Sequence, residues 1–414
     1  MRYTIYTSGT RGDIQPFVPL GQGLRRAGHA VRLATSSNFR PLVEEAGLEF
    51  APVELDYGAM LASPEIQEAF AAGRANILPA MLRLFPRVLH MIEHALTEAW
   101  RTAAGTDAVL FTANGAWGWH IAQALQVPAT RVCFQPLARS GEVPNAVVMA
   151  KPHRFRWVNR LTHVAFELAT WLPLRGIFNR WRNKELQLPA LGLKPPHNAS
   201  SLPLLGAYSP IVSPRPGDWP APWQVVGYWR TDTPPGWQPP PDLASFLQSG
   251  PAPVYVGFGS MSKGNQGPNT RLILEVLQKT GRRVLWQAGP AAQEDAALPA
   301  DVLLIEHVPH AWLFPRMAAV VHHGGSGTTA ASLAAGVPTI VVPHGADQFF
   351  WGQRVHELGV GPPPLPLAGL TAGRLAGAIA AALSTPAMRD RAGAIGEQIR
   401  AEDGVGNAIK TLLG

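Results

Sequence analysis

One cysteine stands in the 414 residues of this chain. Cys133 alone can close no intramolecular disulfide and build no metal site that needs several thiolates. That usage fits a reducing compartment. Charge is sparse as well: Asp, Glu, Lys and Arg make up 15% of residues against 46% hydrophobic, the balance of a globular chain and not of a disordered one. No apolar run reaches the roughly 18 residues that a membrane span needs. The opening MRYTIYTSGTRGD reads as a strand and a loop, without the apolar stretch of a secretory leader. The expected location is therefore cytoplasmic. Acidic residues are the scarcer sign, 28 against 35 basic ones, giving a net charge of +7. That excess favours anionic partners. Nucleic acid is not among those expected, because no recognition-motif spacing and no block of Lys and Arg is present.

Proline, in contrast, is abundant, at 40 residues, about twice ordinary usage. A chain this long is comfortable as two domains. RYTIYT reads as a strand, SGTRGDIQP as a loop, FVPLGQGLRRAG as a helix ended by Gly28, and HAVRLAT as a second strand. Phe17, Leu20 and Leu24 fall on one helical face, so the unit is a parallel βαβ. DAVLFTA, a helix through WHIAQALQ, and VPATRVCF continue it. Proline clusters such as TDTPPGWQPPPD form stiff linkers. After this one the alternation restarts with PVYVGF, RRVLWQA, DVLLIEHV, AAVVHH and TIVVP as strands. The expected fold is α/β, with two Rossmann-like domains facing across a cleft. The first covers 1–230, a Pro-rich linker 231–250, and the second 251–414, with the last helix packing back on the first. A ligand belongs at the carboxyl ends of the strands.

The stretch HHGGSGTTAASLAAGVPTIVVPHGADQ, residues 322–348, carries the most chemistry. AAVVHH is a strand, GGSG a loop and TTAASLAAG a helix stopped by Gly336, with Thr328 near the N-cap. Free N–H groups and the positive dipole end of that helix point into the loop, the setting in which phosphate binds. Gly324, Gly325 and Gly327 allow close backbone approach, Ser326 and Thr328 add hydroxyls, and His323 offers a further hydrogen bond. A plain strand-to-helix turn would use the same glycines. The loop matches neither the Walker nor the G-x-G-x-x-G pattern. Asp347 and Gln348 after the next strand can hold adjacent sugar hydroxyls. Phosphate and hydroxyls together suggest a nucleotide sugar.

In these motifs the chain resembles the family 1 nucleotide-sugar glycosyltransferases of the GT-B fold, and especially the sterol glucosyltransferase-type enzymes and bacterial antibiotic transferases. SGTRGDIQPFVPLG, HIAQALQVPA, FQPLARSGEVPN, SPRPGDWPAPWQVVGYW, GPAPVYVGFGSM and HVPHAWLFPRMAAVVHHGGSGTTAASLAAGVPTIVVPHGADQFFWGQRV carry the likeness. It implies that Ser260 faces the diphosphate and that Val308 offers its backbone to the nucleobase. His323, Gly325, Ser326, Gly327 and Thr328 would hold the diphosphate, and Asp347 and Gln348 the donor sugar. Plant members carry Trp where His307 stands here. They also draw their base from a histidine in the first loop, and SGTRGDIQP has none. Asp13 occupies that loop, as in the sterol and antibiotic members, and would be the catalytic base; the bland role for it is a helix cap.

The implied reaction is inverting transfer of a sugar, glucose from UDP-glucose, to a hydroxyl of a lipophilic acceptor such as a sterol, polyketide or flavonoid. The nucleotide sugar is a co-substrate, and no metal or other cofactor is expected. The chain has no D-x-D, the triplet through which metal-using sugar transferases commonly hold a nucleotide. HMIEH, residues 90–94, matches an inverted zinc-protease pattern, but no third ligand is evident. Trp117, Trp119, His120 and Phe134 are candidate acceptor contacts, although large aromatics serve equally as core. Residues 151–184 hold eight Lys and Arg, one acidic residue and six aromatics. Trp157, Phe166 and Trp171 are read as pocket lining or packing, with weak association at an acidic membrane surface as the alternative. Two other functions stay open: a UDP-sugar epimerase of the same architecture, and a non-catalytic partner that binds a nucleotide or a lipophile.

Overall fold

The computed structural model describes residues 1–55, 77–196, 200–258, 266–287 and 298–414, with side chains at 77–86 and 266–270 outside that description. Two parallel sheets organise it. The first joins seven strands in the order β3-β2-β1-β4-β5-β6-β7. They are β1 (Arg2–Tyr6), β2 (Ala30–Thr35), β3 (Glu49–Pro52), β4 (Ala108–Phe111), β5 (Ala129–Cys133), β6 (Leu204–Gly206) and β7 (Trp223–Val225). The second joins five in the order β10-β9-β8-β11-β12. These are β8 (Val254–Gly257), β9 (Val284–Gln287), β10 (Val302–Ile305), β11 (Ala319–His322) and β12 (Thr339–Val341). Every strand pair is parallel. Helices cover both faces, so the central strands β4, β8 and β11 are buried along their whole length.

Each sheet reverses its winding once. Strand β1 lies between β2 and β4, and β8 lies between β9 and β11. Chains leave the carboxyl ends of these strands in opposite directions and open a crevice at the switch point, where α/β sheets bind ligands. The loop after β1 carries Asp13, and the loop after β11 carries His323 to Gly325. Topology thus assigns both motifs to the places where a site can form.

The Pro-rich stretch holds structure of its own. Pro241–Gln248 is a helix with Pro at its start, a position where the missing N–H costs nothing. Leu243 and Phe246 from it enter the core around Tyr255, Leu285 and Val308, and Trp237 meets Trp312 edge-on at 5.0 Å. The chain therefore joins the second sheet's packing before 251. At the other end, Gly404–Leu413 is a helix that returns to the first sheet. Ala408 is buried there with Phe17, Leu20 and Leu24, and Val405 and Ile409 pack alongside. Trp229 Nε1 donates to the Gly404 carbonyl at 3.2 Å, and Asn407 Nδ2 to that of Val226 at 3.1 Å.

Candidate active site

The loop after β1 folds on its own carboxylate. Arg11–Ile14 makes one helical turn with Thr10 at its N-cap and Asp13 at its third position. The Thr10 N–H donates to Asp13 Oδ2 at 2.8 Å, the Thr10 hydroxyl to the same oxygen at 3.1 Å, and the Asp13 N–H back to the Thr10 carbonyl at 2.9 Å. This is a capping box with Asp in the Glu position. Asp13 Oδ1 receives no hydrogen bond among the described residues. Gly9 makes room for the carboxylate: its φ is +136°, and a Cβ there would lie 2.3 Å from Asp13 Oδ2. Burial raises the Asp13 pKa above the ordinary carboxylate value, and the two Thr10 bonds oppose that rise.

The loop after β11 is arranged differently. The helix Ser326–Ala335 starts one turn earlier than the sequence suggests, with Gly325 at its N-cap and Thr328 already inside it. Gly325 supplies the extended backbone (φ −61°, ψ 143°) that an N-cap requires, so Thr328 is not needed there. His322 is fully buried and structural, accepting the Gly324 N–H on Nδ1 at 2.9 Å. The amides of Gly325, Ser326, Gly327 and Thr328 have no acceptor among the described residues. His323 stands over them, since a Cβ on Gly325 would come within 2.6 Å of its Nε2. Burial lowers its pKa to about 4, against a hydrogen bond with the Gly257 backbone that opposes the fall. The ring is therefore neutral near pH 7. Ser326 Oγ reaches across the cleft to the Phe134 carbonyl at 2.9 Å, so in this structure the hydroxyl ties the two domains together.

The loop after β12 closes the floor. Gly324, at φ +93°, abuts Gln348, whose carbonyl would sit 3.0 Å from an added Cβ. Gln348 Oε1 accepts from the His344 and Gly345 amides at 2.7 and 3.1 Å, which fixes the turn before the helix Gln348–Glu357. Asp347 is the N-cap of that helix, and its Oδ2 accepts from Trp351 Nε1 at 2.9 Å. Burial first, and then the charge of Asp13, raises the Asp347 pKa to about 6. The loop after β1 therefore lies near enough to the loop after β12 for the Asp13 charge to act on Asp347. Arg11 likewise presses on His307 and His310, so the first loop also overlooks HVPH. There Val308 is buried, with neither its N–H nor its carbonyl hydrogen-bonded among the described residues.

Three loops from two domains thus converge: one with a carboxylate, one with open amides and a neutral imidazole, one with Asp and Gln. Comparison with known proteins bears on the fold that carries these loops. Residues 3–111 match the glycosyltransferase family 28 N-terminal domain, and residues 274–411 match the erythromycin biosynthesis protein CIII-like C-terminal domain. A sterol 3-beta-glucosyltransferase of Aspergillus terreus is 35% identical over all of this chain. The chain spans 30% of that relative's length. The glycotransferase of kitacinnamycin superposes with a TM-score of 0.69 at 20% identity, covering 99% of this chain and 98% of its own. A Streptomyces sp. SF2575 glycosyltransferase, SsfS6, complexed with thymidine diphosphate, gives 0.65 at 21% identity over 100% and 99% of the two chains. The chain has the GT-B fold.

Within this GT-B chain the first-domain aromatics occupy the interior. Trp117 and His120 are buried in the helix Trp117–Leu125, under the long helix Arg156–Lys184. His120 stacks on Phe178 at 4.8 Å, and its Nδ1 lies 2.9 Å from Arg182 Nη1. Trp119 is half-buried beside it. The Phe134 ring packs edge-on against Phe17 and Trp229, at 5.4 and 6.0 Å, and only its carbonyl faces the cleft. Trp171 is core as well, whereas Trp157 stands out in solvent. Ser260 lies outside the described residues. In the HMIEH stretch Glu93 pairs with Arg180, and His94 Nδ1 stands 3.3 Å from Glu98.

One residue of the site escaped the sequence reading. His344, in PHGADQ, has its Nε2 buried without a partner among the described residues and its ring 6.3 Å from that of His323. Burial, with His323 beside it, lowers its pKa to about 4. Its position between two quoted motif positions was the available signal.

Proposed function

We propose that this GT-B chain transfers a sugar from a nucleoside diphosphate to a hydroxyl of a lipophilic acceptor, with inversion and without a metal. The donor is a UDP-sugar, UDP-glucose by preference. The observation that carries the reading is a desolvated Asp13 in the switch-point loop of one sheet, and amides at Gly325–Thr328 without an acceptor among the described residues in the switch-point loop of the other. Unpaired amides and a positive dipole end suit a departing diphosphate. A desolvated carboxylate with one uncommitted oxygen suits removal of the acceptor proton.

The steps follow from these residues. The four amides and the neutral His323 hydrogen-bond the diphosphate, and His344 stands next to that group. Asp347 and Gln348 hold sugar hydroxyls, and Val308 reads the nucleobase with its free backbone groups. Asp13 Oδ1 accepts the acceptor proton as its oxygen bonds to the anomeric carbon from the face opposite the diphosphate. The C–O bond to the diphosphate breaks with its electron pair on the leaving oxygen, so the configuration inverts. Sterol as an acceptor class draws support from the sterol 3-beta-glucosyltransferase relative.

The test is nucleotide release from UDP- and TDP-sugars against a panel of sterols, flavonoids and macrolides, with and without excess EDTA. Release that requires an acceptor hydroxyl and survives chelation is expected. Loss of turnover on chelation with recovery on added magnesium would refute the metal-free part. Sugar conversion without any acceptor would point to an epimerase.

A further inference from the structure

The long helix Arg156–Lys184 presents an apolar stripe that nothing among the described residues covers. Trp157, Leu161, Leu168 and Leu172 are spaced four, seven and four apart, which places them on one helical face. Trp157 is 65% exposed, Leu161 54% and Leu172 46%. Phe155 just before the helix, Val148 in the preceding loop, and Leu193 beyond its end are exposed too. Nine large hydrophobic side chains are exposed among the described residues, and six of them fall within 148–193. Such clustering marks an interaction surface, whereas scattered exposed residues do not.

The charge around the stripe selects the partner. Arg156 and Arg160 share Asp218, and Arg156 also reaches Glu142, so those four groups cancel. Lys151 and Arg154 have no ion pair among the described residues, and the Arg154 guanidinium rests 4.5 Å above the Phe155 ring. An exposed Trp and Leu stripe with uncompensated cations at one end matches the interface of an anionic bilayer. A water-soluble acidic protein would meet the cations without needing the stripe. We propose that this face docks on anionic phospholipid, with Trp157, Leu161 and Leu172 entering the headgroup boundary and Lys151 and Arg154 facing lipid phosphate.

The start of the helix is tied to the cleft. Asn159 Nδ2 holds the Gly141 carbonyl at 2.8 Å, and the His163 ring nitrogens lie at 3.2 and 3.0 Å from the carbonyls of Leu137 and Val143. This loop leaves β5 at Phe134, where Ser326 crosses from the other domain. Docking therefore sets the cleft-side loop close to the lipid surface. Delivery of a membrane-dissolved acceptor is a consequence that rests on the proposed reaction; lipid binding itself does not, and the test below uses no turnover.

Flotation with vesicles of phosphatidylcholine alone, and with phosphatidylglycerol added, reads the binding directly. Binding is expected on the anionic vesicles, weaker on the neutral ones, and declining with salt. Combined Trp157→Ser, Leu161→Ser and Leu172→Ser should lower the partition constant by at least about tenfold, with circular dichroism unchanged. If that variant is misfolded, Trp157→Ala alone should still lower binding. Lys151→Glu with Arg154→Glu should remove the preference for anionic vesicles. Wild-type protein that ignores anionic vesicles, or a folded triple variant that binds as well as wild type, overturns the proposal. So does a concentration-dependent dimer in sedimentation that the same substitutions abolish, because the stripe would then be a self-association face.

Discussion

The loops after β1 and β11 are built on one plan and finished in opposite ways. Each follows a buried parallel strand at a switch point, uses glycines to turn, and enters a helix. In the first, a side chain from inside the turn satisfies the helix start: the Thr10 amide donates to Asp13. In the second, four amides have no acceptor among the described residues and the turn itself contains no carboxylate. A helix start that carries its own anion repels another and holds a charge in place; one left open awaits an anion from outside. The difference divides the labour expected of the cleft, with base chemistry on the first domain and diphosphate on the second.

The largest effect should come from removing the first loop's charge. Asp13→Asn retains a carbonyl oxygen for the Thr10 amide, and Asn caps about as well as Asp, so the fold should survive. Turnover should fall about 10²- to 10⁴-fold, the scale of general-base loss, with UDP affinity nearly unchanged. A folded variant keeping more than about a tenth of the wild-type rate, where chemistry limits turnover, moves the base elsewhere. Gly9→Ala tests placement and leaves the charge. The new Cβ would lie 2.3 Å from Asp13 Oδ2, so the carboxylate must shift. Misplacement by about 1 Å costs on the order of 10²-fold. Near-normal turnover in this variant would show that the loop relaxes without harm.

On the open side, His323→Ala should weaken UDP binding. A hydrogen bond to a charged group contributes about 1.5–3 kcal/mol, which corresponds to roughly 10- to 150-fold in Kd. Titration calorimetry on the folded variant is the measurement, and Asp13→Asn is the control that should not share the loss. Equal losses in both variants would erase the division between the loops.

Local signals carried much of this architecture, and tertiary packing decided the rest. Nine strands announced themselves as short apolar runs between turn residues, and HHGGSG stood out because strand, glycines and helix follow one another in sequence. Strands β3, β6 and β7 are not legible; they are four, three and three residues long, too short for a period to show. Strand β12, also three residues, is read from its place after the helix that follows HHGGSG. Trp117 and His120 looked like acceptor contacts because aromatics suit a pocket; only the long helix lying over them makes them core. The Ser326 hydroxyl could have served phosphate, and its partner Phe134 lies 192 residues away. No local pattern carries such information. Asp13 shows the converse: its cap and its candidate catalytic role are compatible, because the cap uses Oδ2 and leaves Oδ1.

A last effect concerns the carboxylate on which the Asp13 charge acts. Burial and the Asp13 charge raise the Asp347 pKa from 3.8 to about 6. Between those values the native state keeps a proton that the unfolded chain has released, so native stability falls as pH rises through the window. Above about pH 6 the charged form remains as a standing cost. Asp347→Asn removes that cost and still offers an oxygen to Trp351 Nε1. Its thermal midpoint should exceed wild type near pH 7.5, since a rise from 3.8 to about 6 corresponds to about 3 kcal/mol. The gain should shrink towards zero near pH 4, where the wild-type carboxyl is neutral. Donor affinity should move the other way, because the neutral amide binds sugar hydroxyls less strongly than a carboxylate. Coupling to the first loop sharpens the comparison: in an Asp13→Asn background the Asp347→Asn gain should be smaller, since one charge that raised the pKa is gone. A gain of equal size at pH 4 and pH 7.5 would mean that burial of the side chain, and not its ionisation, sets the difference.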